Sequence, residues 1–128
     1  MDTAWPANGT ALAKVAGVQD IPAIVSDGAG GAIVTWMDTR PGASVVDIYA
    51  QHVLASGRVD SRWPANGVAV STAAGPQEFP AIVCDGAGGA IITWFDLRNS
   101  ITSFDIYAQH VMSTGVVDPA WPVNGRAL

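Results

Sequence analysis

Two short strings hold the side chains best able to do chemistry. Asp38-Thr-Arg40 is followed by Asp47, and Asp96-Leu-Arg98 is followed by Asp105. Carboxylates grouped around one guanidinium can form an ion-pair cluster, because the planar fork of arginine can serve two acceptors. The same groups can hold a polar ligand, and two carboxylates flanking a glycosidic bond can hydrolyse it. Hydrolysis needs a cleft between the pair, which a short repeated string does not supply. The preferred reading is an ion-pair cluster that fixes a hairpin. His52 and His110 stand at matching places in Asp-Ile-Tyr-Ala-Gln-His-Val. They would have to converge to bind a metal, whereas a structural role in a strand needs no convergence and is preferred. Trp5, Trp63 and Trp121 each open a Trp-Pro-x-Asn-Gly string. Their faces could stack on a sugar, or they could plug the rim of the fold. The candidate ligand residues are therefore Trp5, Trp63, Trp121, Asp38, Arg40, Asp96 and Arg98. No catalytic residue, metal ligand or cofactor is expected.

Other features are better read as structure. Asp27-Gly-Ala-Gly-Gly could cradle a phosphate only if it opened a helix, but Ala-Ile-Val-Thr-Trp follows it, a strand sequence. A Ca²⁺ site would want six to eight oxygens, and this loop offers one carboxylate. Asp27 is expected to cap the turn. Cys84 is the only cysteine, so neither an intrachain disulfide nor a cysteine zinc cage can form. It stands where the first copy has Ser26 and reads as a small buried thiol in a strand.

These residues are carried by a duplicated unit. Trp5-Pro-Ala-Asn-Gly9 returns as Trp63-Pro-Ala-Asn-Gly67 and as Trp121-Pro-Val-Asn-Gly125, 58 positions apart each time. About 34 of the 58 aligned positions are identical, with no insertion or deletion. That divides the chain into repeat 1 (residues 1–62, with an extra N-terminal segment), repeat 2 (63–120) and the opening of a third (121–128). Each repeat carries β-branched and aromatic runs bounded by Gly-rich turns. The expected strands are a at Ala23–Ser26 and Ala81–Cys84, b at Ala32–Asp38 and Ala90–Asp96, and c at Asp47–Leu54 and Asp105–Met112. Strand d follows Asn-Gly at Thr10–Lys14, Val68–Thr72 and the stub Arg126–Leu128. The loop between b and c, Pro41–Val46 in one repeat and Asn99–Phe104 in the other, varies most. No helical period is evident. The runs are apolar without clean alternation, so both faces of each sheet should be covered. Four short antiparallel strands with two covered faces describe a β-propeller blade. A nine-stranded sandwich would show more alternation.

Composition narrows the partners. Only six Lys and Arg residues occur and the net charge is −5, which argues against a nucleic-acid surface. No apolar run is long enough to cross a membrane as a helix. Met1-Asp2-Thr3 begins acidic, without the basic segment of a signal peptide. If the parent is secreted, the chain is expected to be a mature or excised piece.

Pro-Ala-Ile-Val-Ser-Asp-Gly-Ala-Gly-Gly-Ala-Ile-Val-Thr-Trp, followed by Asp-Ile-Tyr-Ala-Gln, resembles the propeller-type repeats of large secreted bacterial proteins. The resemblance covers nearly the whole chain. It implies blade-like units, an extracellular or cell-surface parent and no catalytic residue. In organisation the chain also resembles small lectins whose two-blade subunits assemble into six-blade rings, although their sugar-binding motifs are not identifiable here. The expected architecture is thus all-β, two four-stranded propeller blades per chain, with the ring completed by oligomerisation. The expected partner is the chain itself, as a trimer first and a tetramer next. The expected function is a non-enzymatic structural and interaction module. The alternative is a multivalent lectin with one glycan site per blade.

Overall fold

The computed structural model describes residues 5–42 and 45–128. Ala43 and Ser44, in the loop expected to vary most, lie outside the described residues, as do Met1–Ala4. Among the described residues, eight strands form two four-stranded antiparallel sheets. Sheet 1 holds β1 (Gln19–Ser26), β2 (Ala32–Asp38), β3 (Asp47–Val53) and β4 (Val68–Ser71), in that spatial order. Sheet 2 holds β5 (Gln77–Cys84), β6 (Ala90–Asp96), β7 (Asp105–Val111) and β8 (Arg126–Ala127), likewise in order. Among the described residues there is no helix. Each sheet is a meander whose neighbours in sequence are neighbours in space, the connection that short turns favour.

Local chemistry explains the turns. Asp27 closes the β1–β2 hairpin by accepting from the N–H groups of Ala29 at 2.7 Å and Gly31 at 2.8 Å. Gly31 is required for space, since a Cβ there would strike the Val53 carbonyl and the Asp27 carboxylate. Asn66 (φ 66°) and Gly67 (φ 96°) form the left-handed corner that returns the chain along β3, a conformation asparagine and glycine tolerate best. Because β4 follows this corner, sheet 1 extends past Trp63, the first residue of the second sequence repeat.

Three strand expectations are revised. The first strand is longer than Ala23–Ser26, because Gln19 and Asp20 pair with Asp38 and Met37 across a bulge at Ile21-Pro22. The bulge absorbs a proline that cannot donate to the ladder. Cys84, placed in a strand as expected, is exposed rather than buried. Thr10–Lys14 forms no strand within the chain, because no free third strand of this chain lies beside it.

The sheets stack face to face, chiefly through β5 against β1, β2 and β3. Their contact is the core, built from Ile33, Ile48 and Ala50 of sheet 1 and Ala90, Ile92 and Trp94 of sheet 2, with Trp63 and Val70 alongside. Strand pleating sorts the side chains. Ile33, Thr35 and Met37 of β2 point toward sheet 2, while Ala90, Ile92 and Trp94 of β6 point back toward sheet 1.

Candidate functional site

Two polar assemblies recur, one at each end of the long strands. The first joins β2, β3 and the corner before β4. Arg40 places Nε 3.0 Å and Nη2 2.7 Å from the two oxygens of Asp38, a bidentate pair. The Asp38 carboxylate is fully buried and also accepts from the Trp36 indole at 2.8 Å and from the Arg40 N–H at 2.8 Å. Arg40 further donates to the Asn66 carbonyl at 2.9 Å, and its guanidinium lies 3.5 Å from the Tyr49 ring centroid. Trp94, Asp96, Arg98, Tyr107 and Asn124 repeat the arrangement in sheet 2.

The ion pair is therefore present, but the expected fork between two carboxylates is not. Arg40 spends both arms on Asp38 and reaches the backbone of the corner before β4 instead of Asp47. Asp47 lies opposite Asp38 in the ladder. Burial, and then the neighbouring Asp38 charge, push the Asp47 carboxyl up to about 6. Burial works against the Asp38 anion too, but the Arg40 and Trp36 hydrogen bonds outweigh it and hold its carboxyl below the usual range. Both Asp38 oxygens are engaged, so Asp38 is not poised as a nucleophile or base. The open cleft beside Arg40, Asp47, Tyr49 and Thr72 measures about 520 Å³.

The second assembly was only half legible. His52 sits between two carboxylates, with Nε2 2.9 Å from Asp27 and Nδ1 2.9 Å from Asp60. Arg62 pairs with Asp60 in turn and holds its carboxyl far below the ordinary range. Sheet 2 repeats the arrangement as Asp85–His110–Asp118. Burial alone would lower the basicity of His110, but hydrogen bonds to Asp85 and Asp118 raise it above the ordinary histidine value. Both ring nitrogens of each histidine are hydrogen-bonded to carboxylates, leaving neither free for a substrate proton. The histidines do not converge on one another; each ties a turn and a later loop to its own strand, the structural role expected of them.

No protein-family model, no curated protein and no solved structure matches this chain. Its own geometry carries the functional reading.

The three tryptophans of the Trp-Pro-x-Asn-Gly strings occupy one kind of place under different circumstances. Trp63 is 4% exposed. Its indole donates to the Ser113 carbonyl at 3.2 Å, and its ring lies on Gly115, where a Cβ would come within 2.6 Å of it. It thus leaves sheet 1, packs beside His52 and seats on the turn after β7 of sheet 2. Trp5 repeats the seat on sheet 1, donating to the Ala55 carbonyl at 3.2 Å and lying over Gly57. Trp121 packs beside His110 and is half-exposed. A buried, hydrogen-bonded Trp63 does not offer a face to a sugar, so the rim plug is the better description at that position.

Tyr49, Tyr107, Asp60, Asp118, Asn66 and Asn124 belong to these assemblies and were not singled out from sequence. The available signal was that each recurs at the 58-residue spacing.

Proposed function

We propose that this chain is a non-enzymatic, self-associating module, a pair of β-propeller blades whose copies stack head to tail and close into a ring. The observation that carries this reading is a complementary pattern of burial. Several residues of sheet 2 that face sheet 1 are more buried than their counterparts on the outer face of sheet 1, although Trp36 and Asp38 on that outer face are already buried. Pro80 and Gln77 are buried where Pro22 is exposed and Gln19 half-buried, and Ile24 is 68% exposed where Ile82 packs against the core. The other face reverses the pattern. Ile48 is fully buried against sheet 2, whereas its counterpart Ile106 is 38% exposed. Trp63 is buried where Trp121 is half-exposed. The chain thus carries, at opposite ends, the two halves of the contact it already makes internally. A second copy supplies the missing half at each end, and a heterologous contact of that kind closes as a ring when its rotation fits. Three chains are favoured and four come next, since propellers hold about four to eight blades.

Light scattering coupled to size exclusion tests the reading. The expected mass is three or four times 13.2 kDa. Ile24→Glu on one face and Ile106→Glu on the other should each reduce it to one chain while leaving the far-UV spectrum unchanged. A wild-type chain that stays at single-chain mass at high concentration overturns the proposal.

A further inference from the structure

The segment Trp5–Lys14 lies on sheet 1 in the way that Trp63–Thr72 lies on sheet 2. Trp5 seats on Gly57 as Trp63 seats on Gly115. The Lys14 N–H donates to Asn66 Oδ1 at 2.8 Å, as the Thr72 N–H donates to Asn124 Oδ1 at 3.0 Å. One difference remains. Val68–Ser71 is also the last strand of sheet 1, pairing with Ile48, Tyr49 and Ala50, whereas Thr10–Lys14 pairs with no strand. Gly67 is pressed against the Trp36 ring and Gly125 against the Trp94 ring, while nothing lies within 4 Å of a Cβ placed on Gly9. The segment is held as a strand edge whose ladder is vacant.

We infer that Thr10–Lys14 of one copy is the fourth strand of sheet 2 of the preceding copy, displacing that copy's own Arg126–Ala127. The inference rests on the head-to-tail reading and specifies its joint. The place next to β7 is held by a two-residue ladder, Ala108 with Arg126 and Tyr107 with Ala127, where β4 runs for four residues. Stacking also brings the ends into competition. Trp121 of one copy and Trp5 of the next claim the same seat on Gly57, and Trp5 already fills it with its indole hydrogen bond made. The segment that leaves is therefore Trp121–Leu128. By the register of β3 with β4, Thr10 comes opposite Ala108 of the preceding copy, and Ala11 opposite Tyr107. Gly9 then covers Trp94, as Gly67 covers Trp36.

The test compares two deletions and one cross-link. Removal of residues 1–14 should reduce the assembly to single chains, whereas removal of Trp121–Leu128 should leave its mass at the same number of chains. Independently of whether a deletion folds, a full-length Thr10→Cys/Ala108→Cys chain, with Cys84→Ser to remove the native thiol, should form covalent multimers on oxidation. An assembled wild type that survives loss of residues 1–14, or an assembled double-cysteine chain that yields no multimers, defeats the exchange and leaves the stacking reading standing. A wild type that is a single chain defeats both.

Discussion

At the scale of single residues, two buried carboxylates with opposite surroundings give separable predictions. Asp38 is fully buried with every bond it can use satisfied by Arg40 and Trp36. Arg40→Ala removes the bidentate partner, the strap to Asn66 and the stack on Tyr49, leaving a buried anion half-compensated. The expected loss is about 2 kcal/mol, below the value for a fully sealed pair because the guanidinium is 18% exposed. Arg40→Lys should recover only part of it, since an ammonium cannot fork; a denaturant titration reads both. Asp47 works in the other direction. Its carboxyl is raised to about 6 in the fold against 3.8 as a free side chain, so the folded state holds the proton more tightly. Stability is then lost as pH climbs from about 4 to 6, and the penalty stands in full above that. Asp47→Asn should be near neutral at pH 4 and should stabilise the protein by about 1–2 kcal/mol at pH 8. Equal effects at both pH values would refute the assignment. His110 has the opposite sign of charge: its raised basicity gives stability that is complete below about 6.5 and fades as pH rises through the higher folded value. His110→Gln should therefore cost most at pH 6 and least at pH 8, read as the gap between the two melting temperatures. Asp38 and Arg40 were legible because they stand two positions apart at one strand end. The Asp27–His52–Asp60 line was not, because its members lie 25 and 8 residues apart and meet only once three segments are folded.

At the scale of elements, the strands whose partners lie next in sequence were the readable ones. β2 and β6 have the boundaries expected from the β-branched run and the Gly-rich turn before it. β1 and β5 run farther back than the apolar pattern suggested, since pairing continues beyond a proline through a bulge. Thr10–Lys14 and Val68–Thr72 follow the same Trp-Pro-Ala-Asn-Gly string, yet only the second is a strand. A strand exists where a ladder is available, so its state depends on the neighbour more than on its own propensity. Cys84 shows the same dependence. Its strand was read correctly, but its exposure follows from sitting near the hairpin turn at the sheet edge. The element that couples the two sheets is the Trp63 plug. It is buried between them, hydrogen-bonded to Ser113 and fitted to Gly115. Trp63→Ala should cost about 3–5 kcal/mol, the range for truncating a buried aromatic. Trp5→Ala, in the same seat but 37% exposed, should cost the isolated chain less. Chemical denaturation of both variants checks the order, and equal costs would mean that Trp63 does not couple the sheets.

At the scale of the whole molecule, the duplicated sequence announced two equivalent units but not how their surfaces would differ. Equivalent residues have unlike burial because each sheet packs on the other through a different face. Ile24 at one end and Phe95 and Ile106 at the other are open to water, whereas their counterparts Ile82, Met37 and Ile48 belong to the core or pack against it. On the head-to-tail reading proposed above, these apolar clusters are the surfaces that a second copy covers. Association through them should stabilise the fold by mass action, so the melting temperature should rise with protein concentration. A ring and an open stack separate at this point. Each unit in a ring has both neighbours, so growth stops at one mass, whereas a stack that fails to close lengthens as concentration increases. We expect a single species of three chains, or of four, whose mass does not change over a hundredfold dilution above its dissociation range. Ile24→Glu should lower that species' melting temperature to the value of the dilute chain and abolish its dependence on concentration. A broad distribution that grows with concentration would retain head-to-tail stacking and exclude closure. A melting temperature independent of concentration, at the mass of one chain, would leave the two stacked sheets as the complete assembly.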